Sequence, residues 1–202
     1  MIKRTFKILI VPSILVFGLV GFAAVAQTAS KAKGKAKAQP KTLARAKADI
    51  RGDGITGEAT FAELENGTGR KVEITVHLKG DPAKLTPGLH GVHLHAVGKC
   101  EPPFTSAGGH FDPGPAGNMD PDANHPFHMG DIPNIQINDK GEGTLRVTTT
   151  RVTLSEGPVS LLDEDGSAII IHKNQDAGIT GASKSGVSGG PRIACGVIEK
   201  VR

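Results

Sequence analysis

Residues 55–78 read ITGEATFAELENGTGRKVEITVHL, and this stretch decides the fold class. Ile55–Leu64 and Lys71–Leu78 are rich in β-formers and alternate with a period near two, the side-chain period of a strand. Between them stands Glu65-Asn66-Gly67-Thr68-Gly69. Asn-Gly accepts the positive φ angles of a tight turn, so the two runs predict an antiparallel hairpin. Outward from this hairpin, strands are expected at His90–Ala96, Ile132–Ile137, Gly143–Thr150, Ser160–Leu162, Ala168–His172 and Ile193–Val201. No segment of this region carries sustained helical periodicity, and 27 Gly and 13 Pro favour frequent turns. The expectation is an all-β domain, a Greek-key antiparallel β-barrel or sandwich of about eight strands.

Two stretches break the rhythm of strands and turns. Val97–Asp131 is a long Gly/Pro/Asp-rich loop, and Lys173–Pro191 is a second one rich in Gly and Ser. Long loops without secondary structure are uncommon in a compact domain and usually functional. Both begin beside histidines. The chain has eight His, and seven of them (90, 93, 95, 110, 125, 128 and 172) cluster around these loops. His93 and His95, two apart in a strand, point to one face. His90 lies at an odd offset from both and is read as a buried structural histidine. His77 is read as a strand-surface residue. His110, His125, His128 and Asp131 supply three imidazoles and a carboxylate, a set that can close a tetrahedral Zn²⁺ site. Such a site would order a loop with little apolar surface of its own. His172 ends the apolar run Ala168–Ile171, and with His93 and His95 it forms an all-imidazole set suited to copper.

Charge is distributed unevenly. The net charge is +4, but the first 48 residues carry ten Lys or Arg and no acid, leaving −6 on residues 49–202. A folded nucleic-acid-binding face is therefore not expected. Lys3, Arg4 and Lys7 precede an apolar run, Ile8–Ala26, that closes on Ala24-Val25-Ala26. Residues 1–26 thus read as a secretory signal peptide, with an uncleaved anchor as the alternative. Residues 27–48 read as a basic disordered linker whose lysines, between 31 and 47, could touch an anionic surface. Residues 49–202 form the domain, expected in the periplasm or at the cell exterior. Cys100 and Cys195 are the only cysteines, and an even pair in an exported chain implies a disulfide.

The segments Gly88-Leu89-His90-Gly91-Val92-His93-Leu94-His95, Gly109-His110-Phe111-Asp112-Pro113, His128-Met129-Gly130-Asp131, Ile171-His172 and Gly189–Ile198 together resemble the copper–zinc superoxide dismutases. The resemblance runs from about residue 52 to the C-terminus. It implies copper on His93, His95, His110 and His172, and zinc on His110, His125, His128 and Asp131, with His110 shared. It implies that Asp176 is an outer carboxylate joining a copper-side and a zinc-side histidine. Arg192 would guide the anion, and Cys100–Cys195 would be the family disulfide. His125 stands only three residues before His128, and 14 residues separate it from His110, a longer gap than the family usually has.

The implied reaction is dismutation of superoxide to O₂ and H₂O₂. Because the domain is net negative, fast capture of a small anion needs a local positive channel. Arg192 fits that role best, with Lys173 and Lys184 as weaker candidates. The competing reading is a non-catalytic copper/zinc-binding or metal-delivery protein on the same fold. A homodimer is compatible with the resemblance.

Overall fold

The computed structural model describes residues 39–114 and 117–202. The signal peptide and residues 27–38 of the linker lie outside the described residues. Among the described residues there are nine strands: β1 (Lys41–Gly52), β2 (Ile55–Asn66), β3 (Gly69–Gly80), β4 (Gly88–His95), β5 (Asp131–Ile137), β6 (Glu142–Thr149), β7 (Ala168–His172), β8 (Arg192–Val197) and β9 (Glu199–Lys200). The sheet order is β2-β3-β6-β5-β4-β7-β8-β1-β9, and β1 also pairs with β2. Eight antiparallel strands therefore close a barrel, and β9 is an extra strip on β1. The sequence connections β3–β4 and β6–β7 each skip two neighbours, which makes the topology a Greek key. Closure leaves the eight staves no free edge, so aggregation through unpaired backbone is suppressed.

The predicted hairpin is β2–β3, in unbroken register from Ile55↔Gly80 to Asn66↔Gly69. Its alternation sends Ala59 and Phe61 from β2, and Val72, Ile74 and Val76 from β3, into the core. β7 is buried on both faces. Ile169 and Ile171 enter the main core, whereas Ala168 and Ile170 pack outside the barrel with Phe104, Ala107 and Cys195. Each of these buried isoleucines contributes about 1.5–3 kcal/mol by leaving water. Among the described residues the only helical element is one short turn, Thr105–Ala107.

Two expectations fail. Residues 41–48, read as linker, are the first eight residues of β1. Their small residues alternate after all: Ala46, Ala48 and Ile50 are buried, while Arg45, Lys47, Asp49 and Arg51 face solvent. Ser160–Leu162, read as a strand, makes only an isolated bridge from Ser160 to Thr153. Leu161 is fully buried, so its apolarity marks a loop residue plugged into the core rather than a stave. The two long loops stand as expected, from the end of β4 to the start of β5 and from the end of β7 to the start of β8.

Candidate metal centre

Strand alternation builds half of the site. Val92 and Leu94 of β4 fill the core, so His93 and His95 project from the outer face of the barrel. β7 lies antiparallel beside β4, with Val92 opposite Ile171 and His93 opposite Ile170, which brings His172 alongside. On the other flank His93 pairs with Asp131, the first residue of β5. The long loop then folds back, and His110 bridges to His95. The rings of His93, His95 and His172 lie 4.1, 5.0 and 6.3 Å from that of His110, and those of His128 and His125 lie 5.0 and 5.7 Å from it. His110 is the central ring of six, all buried.

The outer partners fix each tautomer. His95 Nδ1 donates to the Gly108 carbonyl at 3.1 Å and His172 Nδ1 to the Gly190 carbonyl at 2.9 Å. His93 Nε2 donates to Asp176 Oδ2 at 3.0 Å and His110 Nδ1 to Asp131 Oδ1 at 2.7 Å. Carbonyl and carboxylate oxygens only accept, so the opposite nitrogen of each ring holds a lone pair. Those four atoms, His93 Nδ1, His95 Nε2, His110 Nε2 and His172 Nε2, are buried without a hydrogen-bond partner. One nitrogen from each of the four lies within 4.8 Å of the others. Leaving one buried acceptor unsatisfied costs about 1–3 kcal/mol. Four aimed at one another form a cation site, and an all-imidazole donor set suits copper.

The second set converges on a single carboxylate. Asp131 takes His110 Nδ1 on Oδ1 and His128 Nδ1 on Oδ2 at 2.9 Å, and His125 Nδ1 stands 3.2 Å from Oδ2 without a hydrogen bond. Three imidazoles and one carboxylate match the chemistry of a closed zinc site. His93, His110, His125 and Asp131 also come within 4.8 Å of one another. The Asp131-centred set is the better-built one, because the free nitrogen of His93 belongs with the first four, whereas His128 is bonded directly to Asp131. Asp176 spans the two halves: its Oδ1 accepts from His125 Nε2 at 2.7 Å while its Oδ2 holds His93. His90 faces away from both sets, as expected. Its ring reaches the carbonyls of His172 and Thr86, each at 2.8 Å, and so steadies the His172 backbone. His77 is exposed, and its Nδ1 pairs with the Thr144 hydroxyl at 3.0 Å.

The electrostatics divide the same way. Burial depresses His93, His95 and His172, and it brings His110 down to about 3. Burial opposes charge at His125 too, but the Asp131 and Asp176 carboxylates outweigh it and raise this ring to about 9. Burial opposes charge at His128 as well, but Asp131, with Asp112 assisting, raises this ring. Burial would raise Asp131 and Asp176, but their histidine partners hold both below the usual carboxylate range. Linkage then gives the pH profile of the metal-free protein. Below pH 6.5 the unfolded chain protonates four rings that the folded one keeps neutral, so stability falls. Above 6.5 the unfolded chain releases protons that His125 and His128 retain, so stability falls again. Chelator-treated protein should melt highest near pH 6.5, with the steeper decline on the acid side. A melting temperature still climbing at pH 9 would contradict these assignments.

Sequence reasoning missed several supports. Arg151, in an otherwise exposed position, donates to the His128 carbonyl at 2.8 Å and to that of Asp131, clamping the zinc-side loop to β5. Asn134 and Asp176 exchange backbone and side-chain hydrogen bonds at 2.9 Å. No local pattern announces such contacts. Cys100 and Cys195 are joined as a disulfide.

A family model described as copper/zinc superoxide dismutase matches residues 55–198. The chain belongs to the copper/zinc superoxide dismutase family. A protein from Deinococcus radiodurans named superoxide dismutase (Cu-Zn) is 37% identical over 158 residues, which are 73% of this chain and 79% of that protein. A Caulobacter vibrioides protein of the same name is 39% identical over 156 residues, 73% of this chain and 81% of its own length. Among solved structures, that of the clock protein EA4 superposes with a TM-score of 0.60 at 27% identity, covering 80% of this chain and 97% of that one. Dismutation of superoxide, with copper and zinc as cofactors, is accordingly its activity. The delivery-protein alternative is not favoured.

Proposed function

We propose that His93, His95, His110 and His172 hold the copper, that His110, His125, His128 and Asp131 hold the zinc, and that His110 serves both. The four unpartnered nitrogens facing one another carry this reading. When bound, copper would supply the one-electron exchange with superoxide, and zinc would supply fixed positive charge to the residues that hold it. The protein holds the four copper-side rings in their lone-pair form at neutral pH through burial and through the acceptors at their outer nitrogens. With Nδ1 on the zinc side, beside Asp131, Nε2 is the atom of His110 at which a proton is taken up or released on the copper side.

Arg192 is proposed to receive the anion. Its guanidinium donates to the carbonyls of Phe104 and Gly108, each at 2.6 Å, which leaves the other N–H groups of the fork free. Together with His172 it lines a cleft of about 370 Å³ that Lys184 also borders. Lys173 is exposed and does not line that cleft, so Lys184 is the better secondary cation. In Arg192→Ala the second-order rate with superoxide should fall roughly ten- to a hundredfold and lose part of its salt dependence, with copper content unchanged. Pulse radiolysis across ionic strengths reads both, and unaltered kinetics would remove Arg192 from the role.

Export is proposed from the basic start, the apolar run and the Ala24-Val25-Ala26 site. The disulfide supports an oxidising compartment such as the periplasm. Contact with an anionic surface gains support from Lys41, Arg45 and Lys47, which are exposed along β1. N-terminal sequencing of protein recovered from the periplasmic fraction tests the leader: a mature start near Gln27 supports cleavage, and an intact Met1 refutes it.

A further inference from the structure

The unusually long gap between His110 and His125 contains a carboxylate that neither metal set uses. Asp122 is 4% exposed. Its Oδ2 accepts the Gly186 N–H at 2.8 Å, and its Oδ1 accepts the Ser188 N–H at 3.1 Å and the Ser188 hydroxyl at 2.8 Å. Its own carbonyl accepts the Gly181 N–H at 2.8 Å. All of these partners belong to the other long loop. Two further contacts run the same way, from the Thr180 hydroxyl to the His125 carbonyl and between Ser183 and Asp120.

What the second loop carries makes this contact consequential. Immediately after Ser188 come Gly189, at φ +105°, and Gly190, at φ +65°. A Cβ on Gly189 would stand 2.7 Å from the His172 Cβ, so the backbone is laid directly against that side chain. Gly190 supplies the carbonyl that His172 Nδ1 donates to. A chain of direct contacts thus runs from Asp122 through Ser188 and the two glycines to the His172 ring. The second loop is short and has little apolar surface to hold itself: Ala182 to Ser185 are all exposed. Across residues 181–190 the buried Asp122 carboxylate takes three hydrogen bonds, and charge-assisted bonds are about twice as strong as neutral ones.

We infer that Asp122 is a positioning residue: it fixes the 181–190 loop and, through the Gly190 carbonyl, the orientation of His172 and the wall of the cleft beside Arg192. The extra residues of the first loop therefore act as the brace of the second. This inference rests on the reading of His172 as a copper ligand.

The test uses full-length protein carrying Asp122→Ala, Asp122→Asn or Ser188→Ala, with His172→Ala as a control. In metal-free protein, amide hydrogen exchange at Gly186 and Ser188 should quicken at least tenfold in Asp122→Ala. It should quicken less in Asp122→Asn, which keeps one acceptor oxygen, and least in Ser188→Ala. In copper-loaded protein, the electron paramagnetic resonance spectrum of Asp122→Ala should move part-way toward that of His172→Ala, and Asp122→Asn should move it less. Faster exchange with a wild-type copper spectrum would overturn the positioning role, as would unchanged exchange. A His172→Ala spectrum identical to wild type would instead sink the ligand assignment beneath it. If Asp122→Ala does not fold, the graded pair Asp122→Asn and Ser188→Ala decides by the same two readouts.

Discussion

Replacing His110 with alanine is expected to cost this protein both metals and essentially all dismutation. The geometry makes this the most damaging single change in the site. His110 is the one ring lying within 6.3 Å of the other five histidine rings of the site. Its two nitrogens face opposite ways, Nδ1 onto Asp131 and Nε2, unpartnered, toward the copper-side set. Alanine deletes a donor from each set and opens a void between them. Loss of a group that merely orients a ligand costs about 10–100-fold in metal affinity or activity. Loss of a shared ligand should exceed that, so the superoxide rate should drop by more than roughly 100-fold. Zinc content, read by elemental analysis after dialysis, should fall along with copper. His77→Ala is the control, because that ring lies on the outside of β3 and pairs with the Thr144 hydroxyl. A His110→Ala protein that retained full zinc and lost only copper would show that the ring is not shared.

How much of this could be read from the chain depends on where each signal resides. β7 was legible because Ala168–His172 is apolar throughout, and the structure buries both of its faces. The pair His93 and His95 was legible because strand period alone puts them together. β1 was not, because alanine is a weak strand former and the Lys/Arg density of residues 41–47 resembles a solvated tail. Its alternation becomes meaningful only once β2 and β8 lie on either side of it. The site partners divide likewise. Histidines and Asp131 announce themselves by type and spacing. The carbonyls of Gly108 and Gly190, which fix two tautomers, have no residue signature. Arg151 and Asp122 do their work through contacts 20 to 66 residues away in sequence, so only the folded chain identifies them.

Removing the disulfide should give the largest loss of stability. Cys100 and Cys195 close a loop of sequence separation 95. In the chain-entropy view, cross-linking such a loop restricts the unfolded chain by about 4–5 kcal/mol. For a domain of this size that corresponds to a melting temperature roughly 10–20 °C lower in Cys100→Ser/Cys195→Ser. Entropy is only part of the effect, because the bond also clips a small apolar cluster. Phe104 and Ala107 from the loop pack on Ala168, Ile170 and Cys195 of β7 and β8, outside the main core. Freed of the bond, that loop can lift without unfolding the barrel. Its lifting would withdraw the Phe104 and Gly108 carbonyls that hold Arg192, and the same Gly108 carbonyl that orients His95. The double-serine protein should therefore lose superoxide rate even at 25 °C, where the barrel is still folded. Its copper spectrum should change as well, since one ligand ring has lost its outer acceptor. Melting curves and copper spectra taken on the same samples separate the two effects. A lower melting temperature with an unchanged spectrum and rate would confine the disulfide to the unfolded chain and leave Arg192 and His95 held by the loop's own packing.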